Sequence, residues 1–318
     1  MLPPQQALGL LGGLIFLVQA DQLAASPIAF TLDSTNSVLT LSGGLTLPYG
    51  LGVVPFAEQS PGSLTTHYSG AVLLDLTPPT IQFPSGSSIV AQTNGSWQPG
   101  AGGADTNAPA DYGGKLTISL GGLGNGTVWA AGRNIALDIS SLALTLTNSG
   151  LDASRLNVFF LTNAPPVPVL DYKVIGTVLV PNTNGTTSLT GSFTNGHATA
   201  YLTNTAGMLK LVIPLNATNI TTFLTTNDTT VIMKGQLVAT APESVWPLVV
   251  KIGVSNGQVT LTWPSITGQV FTVKSSQDLR QHLQNWSTVS GTTVVRGNTT
   301  TWTTSQSGNV QFYRVLLQ

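Results

Sequence analysis

The sequence predicts an all-β protein, built as a large antiparallel β-sandwich or two fused sandwiches and followed by a smaller two-sheet sandwich. Apolar and polar residues alternate with a period of two from residue 28 onward, as at Ile28, Phe30 and Leu32, which is the pattern of a half-buried strand. Gly, Pro and Asn interrupt the alternation at short intervals, as turns between short strands do. A helical period is not sustained over the length of a helix after residue 25.

Residues 1–25 are predicted to be a signal peptide. Ala7–Ala20 is an apolar run too short to span a bilayer, which takes roughly 20 apolar residues. Val18 and Ala20 match the small-x-small pattern of a signal-peptidase site, so we expect cleavage near Ala20 or Ala25. The preceding MLPPQQ lacks the usual Lys or Arg, and a buried N-terminal strand or helix therefore stays an alternative.

Residues 26–241 are predicted to form the large sandwich, and a break at 162–169 would divide it into two. Leu151–Phe160 is ambiguous and has room for one helical turn. Gly121–Gly126 has no helix after it and is expected to be a hairpin rather than a phosphate loop. The strand-like runs before the break are Val38–Leu41, Leu45–Leu47, Ser63–Tyr68, Ala71–Leu76, Thr80–Phe83, Lys115–Leu120, Thr127–Ala131, Ile135–Ile139 and Leu142–Thr147.

The alternation resumes after the break. Asn184-Gly185 and Asn195-Gly196 are predicted to be hairpin turns, because both residue types tolerate positive φ. The strand-like runs are Tyr172–Val180, Thr187–Phe193, Ala198–Leu202, Leu209–Ile213 and Val231–Ala239.

Residues 245–318 are predicted to be a separate small sandwich. Val259, Leu261 and Trp263 fall on one face of one strand, and Phe271 and Val273 on one face of the next. Two sheets packed face to face require such inward faces. Trp263 is accordingly expected in the core.

The segments LTWPSITGQVFTVKSS, QNWSTV, TTTWTT and QFYRVLL resemble the fibronectin type III-like modules that end many secreted bacterial proteins. Trp263 matches the core tryptophan of those modules, and Phe271 matches the aromatic residue after the first turn. SPGSLTTHYSG, TIQFPSGSSI, GSWQP and APADYGG resemble exported β-rich bacterial proteins of the PEP-CTERM type, although QFYRVLLQ reads as a strand rather than their sorting anchor. The resemblances imply a fold class and an exported location but no reaction.

The composition of the chain restricts the kinds of partner it is expected to bind and the compartment in which it is expected. Charged residues make up 7% of the chain and the net charge is −1, so we expect neither nucleic acid nor anionic membrane as a partner. The chain has no Cys, which excludes disulfides and thiolate metal sites. No second apolar run is long enough to span a bilayer, and the mature chain is predicted to be secreted or held at the cell surface without a transmembrane segment.

No catalytic residues are predicted. The chain has two Glu residues, Glu58 and Glu243. A glycoside hydrolase needs two acids, and a pair such as Glu58 with Asp75, on neighbouring predicted strands, is an alternative. We favour the interpretation that these acids are surface groups that keep strand edges soluble. The three His residues are far apart in the sequence and match no metal-binding spacing.

The aperiodic segment Asn94–Gly114 supplies the candidate ligand-binding residues. Asp105, Asn107 and Asp111 offer hard oxygen ligands at spacings that imitate part of a calcium loop, although the terminal bidentate Glu is missing. Calcium is therefore an optional ligand, and a flexible loop with Asx turns is the alternative. Trp97 and Tyr112 are the candidates for stacking on a ligand such as a sugar ring.

Together these observations predict an exported, non-catalytic structural or adhesion protein. Its expected partners are matrix, polysaccharide or cell-surface components. The first alternative is a carbohydrate-binding protein that uses Trp97 and Tyr112. The second is a divergent secreted glycoside hydrolase with Glu58 or Asp111 as its acid.

Overall fold

The computed structural model describes residues 27–47, 52–163, 166–177, 182–196, 199–223, 227–305 and 311–318. These residues form antiparallel strands joined by loops and short 3-10 turns, which confirms the all-β prediction. The strands up to the predicted break are β1 Ile28–Leu32, β2 Val38–Thr46, β3 Val53–Pro55, β4 Ala57–Glu58, β5 Thr65–Thr77, β6 Thr80–Gln82, β7 Ser88–Ala91, β8 Gly95–Trp97, β9 Ala108–Ala110, β10 Tyr112–Ser119, β11 Asn125–Arg133, β12 Ala136–Ser140, β13 Leu144–Thr145, β14 Gly150–Asp152 and β15 Asn157–Phe160.

The remaining strands follow in the same order. After residue 168 come β16 Val169–Gly176, β17 Thr183–Ser188, β18 Ser192–Asn195, β19 Thr199–Thr205, β20 Met208–Phe223, β21 Asn227–Pro242, β22 Lys251–Ser255, β23 Gln258–Pro264, β24 Phe271–Ser276, β25 Ser287–Thr288, β26 Thr292–Arg296, β27 Thr299–Ser305 and β28 Phe312–Leu317. The 3-10 turns are Ala101–Gly103, Gly121–Leu123, Ala153–Arg155, Glu243–Val245 and Leu283–Asn285. The turn at Ala153–Arg155 lies within Leu151–Phe160, the ambiguous stretch in which one helical turn was possible.

The largest sheet closes on itself. Eight strands pair in the order β20-β18-β15-β12-β7-β5-β1-β21, and β21 pairs back with β20. The closing ladder is a long hairpin that runs from Met208 opposite Pro242 to Phe223 opposite Asn227. Alternate residues of these strands face one shared core, whose buried members include Phe30, Val72, Ile89, Leu137, Val158, Leu211 and Leu237. Period-two alternation predicts these buried faces but does not reveal whether a sheet closes.

A second sheet packs against the ring. It has five strands in the order β17-β16-β11-β10-β4. Its inner face meets β2, and Leu45, Leu116, Ile118, Val128 and Val174 form the shared core cluster. Strands from both sides of residues 162–169 therefore contribute to both sheets, since β15 pairs with β18 and β11 pairs with β16.

The C-terminal residues form the two-sheet arrangement that the alternation predicts. One sheet has the order β22-β23-β27-β26 and the other the order β25-β24-β28. Trp263 is 2% exposed between them, and its ring lies edge-on to Phe271 with the ring centres 5.4 Å apart. The core position of Trp263 is confirmed.

A buried polar contact joins the C-terminal sandwich to the ring. Asn298 accepts a hydrogen bond from the backbone N–H of Ser149 at 2.9 Å and donates one to the carbonyl of Leu146. The backbone N–H of Thr267 donates to the hydroxyl of Ser149 at 2.9 Å. The sandwich therefore docks through hydrogen bonds that satisfy buried backbone groups on the ring side.

Two details differ from the sequence prediction. Asn184-Gly185 lies inside β17 rather than in a turn, with Gly185 opposite Tyr172. The two runs predicted on either side of Gly70 form the single strand β5. Gly70 has φ +110°, and a Cβ there would lie 2.0 Å from the carbonyl oxygen of Ser88. This glycine is thus needed because the neighbouring strand approaches too closely for a side chain.

Candidate functional site

The segment predicted as an aperiodic loop is held in place by Arg133. It contains the hairpin of β8 and β9 and the 3-10 turn at Ala101–Gly103. The Arg133 guanidinium donates to Asp171 at 2.7 Å, to the carbonyl of Ala108 at 3.2 Å, and to the carbonyls of Pro99 and Pro109. One nearly buried cation therefore ties β9 and the connection between β8 and β9 to β16.

Trp97 and Tyr112 do not form a common platform. Trp97 ends β8 and packs over Gly113, where an added Cβ would lie 2.3 Å from the indole. Tyr112 precedes Gly113 on β10, and consecutive strand residues point to opposite faces. Tyr112 is 2% exposed, and its hydroxyl lies 2.7 Å from that of Tyr68. Burial raises the pKa of both phenols well above the usual value, and Tyr112 is a core residue rather than part of the loop.

The structure gives the two acids of the calcium candidate different partners. Asp105 is exposed and pairs with the Lys173 ammonium at 2.8 Å. Asp111 is 4% exposed and accepts a hydrogen bond from the backbone N–H of Ile135 at 2.8 Å. Asn107 lies exposed just before β9. Within the described ranges, no three His, Asp or Glu side chains are close enough together to hold a metal ion.

Two other buried acids, Asp138 and Glu243, also accept hydrogen bonds from groups inside the protein. Asp138 accepts hydrogen bonds from the backbone N–H groups of Gly86 and Ser87, both at 2.8 Å. Glu243, predicted in a linker, is 6% exposed and accepts from the side-chain amide of Asn204. Each acid therefore replaces the water that buried donors would otherwise require.

Asp111 predicts a measurable pH dependence of stability. Burial raises the pKa of its carboxyl above the unfolded value of about 3.9, so the folded state binds this proton more tightly than the unfolded chain does. The free energy of unfolding should consequently fall as the pH rises from about 4 through the folded pKa. Asp111→Asn should flatten this part of a urea-unfolding pH series relative to the wild type. Equal slopes for the wild type and Asp111→Asn would contradict this explanation.

The acids and imidazoles at the remaining candidate positions are dispersed. Glu58 lies on β4 and accepts from the backbone N–H of Gly62 at 3.1 Å, while Asp75 lies on β5 opposite Gln82. A ring nitrogen of His67 lies 2.8 Å from the carbonyl oxygen of Ser34. His282 caps the 3-10 turn at Leu283–Asn285, and His197 is outside the described residues.

An apolar cavity of about 170 Å³ lies between the ring and the five-stranded sheet. We call it the inter-sheet cavity. Its ring wall includes Val231 and Met233 on β21, and they share a face with the buried Leu237. The complete apolar and small lining is Leu41, Phe56, Leu64, Tyr112, Gly114, Leu116, Val128, Ala130, Gly132, Ile135, Phe160, Leu170, Leu189, Phe193, Val231 and Met233.

The cavity exists because three inward positions of the five-stranded sheet carry small residues. Gly114 lies opposite Ala130 in the β10–β11 ladder, and Tyr112 lies opposite Gly132. A Cβ at Gly114 or Gly132 would meet its nearest neighbour at 3.5 Å, an ordinary contact distance, and neither glycine has positive φ. The backbone therefore does not require glycine at either position, and the missing side chains leave the space empty.

Polar groups occupy two parts of the cavity wall. Thr187, Ser188 and Thr190 line it and are exposed, so they mark the side that faces solvent. Thr229 lines it from β21 and is 6% exposed, and its hydroxyl has no hydrogen-bond partner within the described part of the chain. The wall is thus apolar and uncharged, with a polar rim and one unpartnered buried hydroxyl.

Sequence reasoning missed this site. The informative signal was present in the alternation of β10 and β11, where inward positions run from Tyr112 through Gly114 to Leu116, and from Val128 through Ala130 to Gly132. Glycine inside a strand weakens it and often marks a close approach of a backbone or a ligand. Which face of each strand is inward becomes clear only when the register is known.

No family model matches the chain, and neither a curated protein nor a solved structure matches it. Within the described residues, no helix is both long enough and apolar enough to cross a membrane.

Proposed function

We propose that the protein is an exported, non-catalytic structural or adhesion protein that works outside the cytoplasm or at the cell surface. Its C-terminal fibronectin type III-like module extends the ring and is held to it by the Asn298 contacts. Matrix, polysaccharide or cell-surface components are its partners.

The observation that carries this proposal is the role of the buried acids. Asp111, Asp138 and Asp171 each accept hydrogen bonds from backbone N–H groups, at 2.8–3.0 Å. Such donors hold each carboxylate in one orientation, and each carboxylate supplies the acceptor that the buried N–H groups require. These acids therefore serve the scaffold, and the low charge of the chain leaves broad polar faces of Thr and Asn for contact with other surfaces.

Two measurements test the proposal together: where the protein is found, and whether it binds to cells. The full chain with a C-terminal epitope should be processed after Ala20 or Ala25, as read by mass spectrometry of its N-terminus. The epitope should be accessible on intact cells or appear in the medium, and the purified mature protein should bind again to cells. An uncleaved cytoplasmic product that does not bind to cells would contradict the proposal.

Trp97 supports carbohydrate binding as a second candidate function. Its indole is half-buried over Gly113, and none of the described residues accepts a hydrogen bond from its buried N–H. A sugar hydroxyl would satisfy that donor while the exposed part of the ring stacks on the sugar. Retention on polysaccharide should be lost in Trp97→Ala and kept in Trp129→Ala, which removes another half-buried indole. Equal retention of both variants would contradict a sugar site at Trp97.

A further inference from the structure

The hydroxyl of Thr229 is the feature of the inter-sheet cavity that packing alone does not explain. Thr229 is 6% exposed, and its buried hydroxyl has no hydrogen-bond partner among the residues that the structure describes. A buried hydroxyl without a partner is destabilising, and a valine of the same shape would avoid that cost. Thr229 lines a cavity that opens toward solvent at exposed Thr187, Ser188 and Thr190.

We propose that the inter-sheet cavity binds a neutral, mainly apolar molecule the size of one aromatic ring, and that Thr229 hydrogen-bonds its single polar group. This binding site is independent of the surface role proposed above.

Volume and wall chemistry define the ligand class. The cavity measures about 170 Å³, and an engineered cavity of about 150 Å³ lined by Leu, Ile and Phe in another protein stays dry and binds benzene. Phe56, Phe160 and Phe193 provide aromatic wall, with Phe160 and Phe193 edge-on and 5.0 Å apart. Aromatic side chains in this geometry favour another ring as a neighbour.

The lining also excludes a charged ligand. Every residue that lines the cavity is uncharged at neutral pH, so a carboxylate or ammonium would be buried without a counterion, which is costly. Thr229 both donates and accepts a hydrogen bond, which suits a phenol-type hydroxyl. Asn219 lines the cavity as well, but its side-chain amide already donates to the carbonyl of Ser192 at 2.7 Å.

The experiment titrates the purified full chain with three probes by isothermal calorimetry. p-Cresol should bind with 1:1 saturation, toluene should bind about 5- to 10-fold more weakly because it lacks the hydroxyl, and benzoate should not bind. Absence of saturable binding of both p-cresol and toluene to the folded wild type would overturn the proposal. Binding of benzoate as tight as that of p-cresol would overturn it too.

Three variants locate the site. Thr229→Val should weaken p-cresol to the affinity of toluene and leave toluene unchanged, whereas Thr260→Val, the same change in the C-terminal sandwich, should alter neither. Ala130→Leu fills the cavity and should weaken both probes at least about 10-fold. Gly114→Ala fills less space, since its Cβ would meet Leu64 at 3.5 Å, and should weaken both probes more mildly. Unchanged binding in Gly114→Ala and in a folded Ala130→Leu would place the probes elsewhere and refute the site.

Discussion

Asp171→Ala is expected to lower the free energy of unfolding by about 3–5 kcal/mol, because it leaves a nearly buried cation without its partner. The side chains of Arg133 and Asp171 are 11% and 2% exposed, and the guanidinium Nε lies 2.7 Å from the carboxylate. Asp171 also accepts from the backbone N–H of Gly102 at 3.0 Å and from the hydroxyl of Thr186. Equilibrium unfolding in urea, followed by tryptophan fluorescence, measures the change.

Asp105→Ala is the matched control. Asp105 pairs with Lys173 at a similar distance, 2.8 Å, but its side chain is 75% exposed. Exposed ion pairs contribute about 0–1 kcal/mol, so this variant should unfold close to the wild-type midpoint. Equal losses in the two variants would show that burial does not set the cost, and would contradict the structural role given to Asp171.

Asn298→Ala is expected to cost about 2–4 kcal/mol and to loosen the C-terminal sandwich from the ring. The change leaves the N–H of Ser149 and the carbonyl of Leu146 without the partner they have in the folded protein, and each buried unsatisfied group costs about 1–3 kcal/mol. The unfolding transition should separate into two steps as the contact between the parts weakens. Calorimetry measures the loss of stability and the separation into two steps, and hydrogen exchange at Ser149 measures the loosening of the contact.

Asn285→Ala is the control for this prediction. Asn285 is also an Asn of the C-terminal sandwich, but it is exposed, and surface substitutions usually change stability by no more than about 0.5 kcal/mol. A single unfolding transition at the wild-type midpoint in Asn298→Ala would show that the Asn298 contacts do not couple the two parts.

Much of the fold could be predicted because burial follows alternation. Val259, Leu261 and Trp263 are spaced two apart in the sequence, and all three are at most 3% exposed. The closure of the ring could not be predicted, since pairing of β20 with both β18 and β21 depends on which edges meet in space. The Asn184-Gly185 prediction was wrong because hydrogen bonding along β16 overrides the local preference for a turn.

The candidate site was less accessible to sequence reasoning. Segment 94–114 is rich in Gly, Ala and Pro, so it reads as a loop, but its order comes from Arg133, which is distant in sequence. Tyr112 looks like an exposed aromatic beside Trp97 until the register places the two on opposite faces. The inter-sheet cavity is lined by residues of β10, β11 and β21. No single segment of the sequence shows that these three strands line the same space.

The claim that the acids serve the scaffold rather than a reaction is tested most directly by a substrate panel. Wild type and the double variant Glu58→Gln, Asp111→Asn should be compared on glycan, ester and peptide substrates at equal concentrations of folded protein. We expect no turnover above the blank for either protein. Turnover by the wild type that disappears in a double variant that is still folded would contradict the claim.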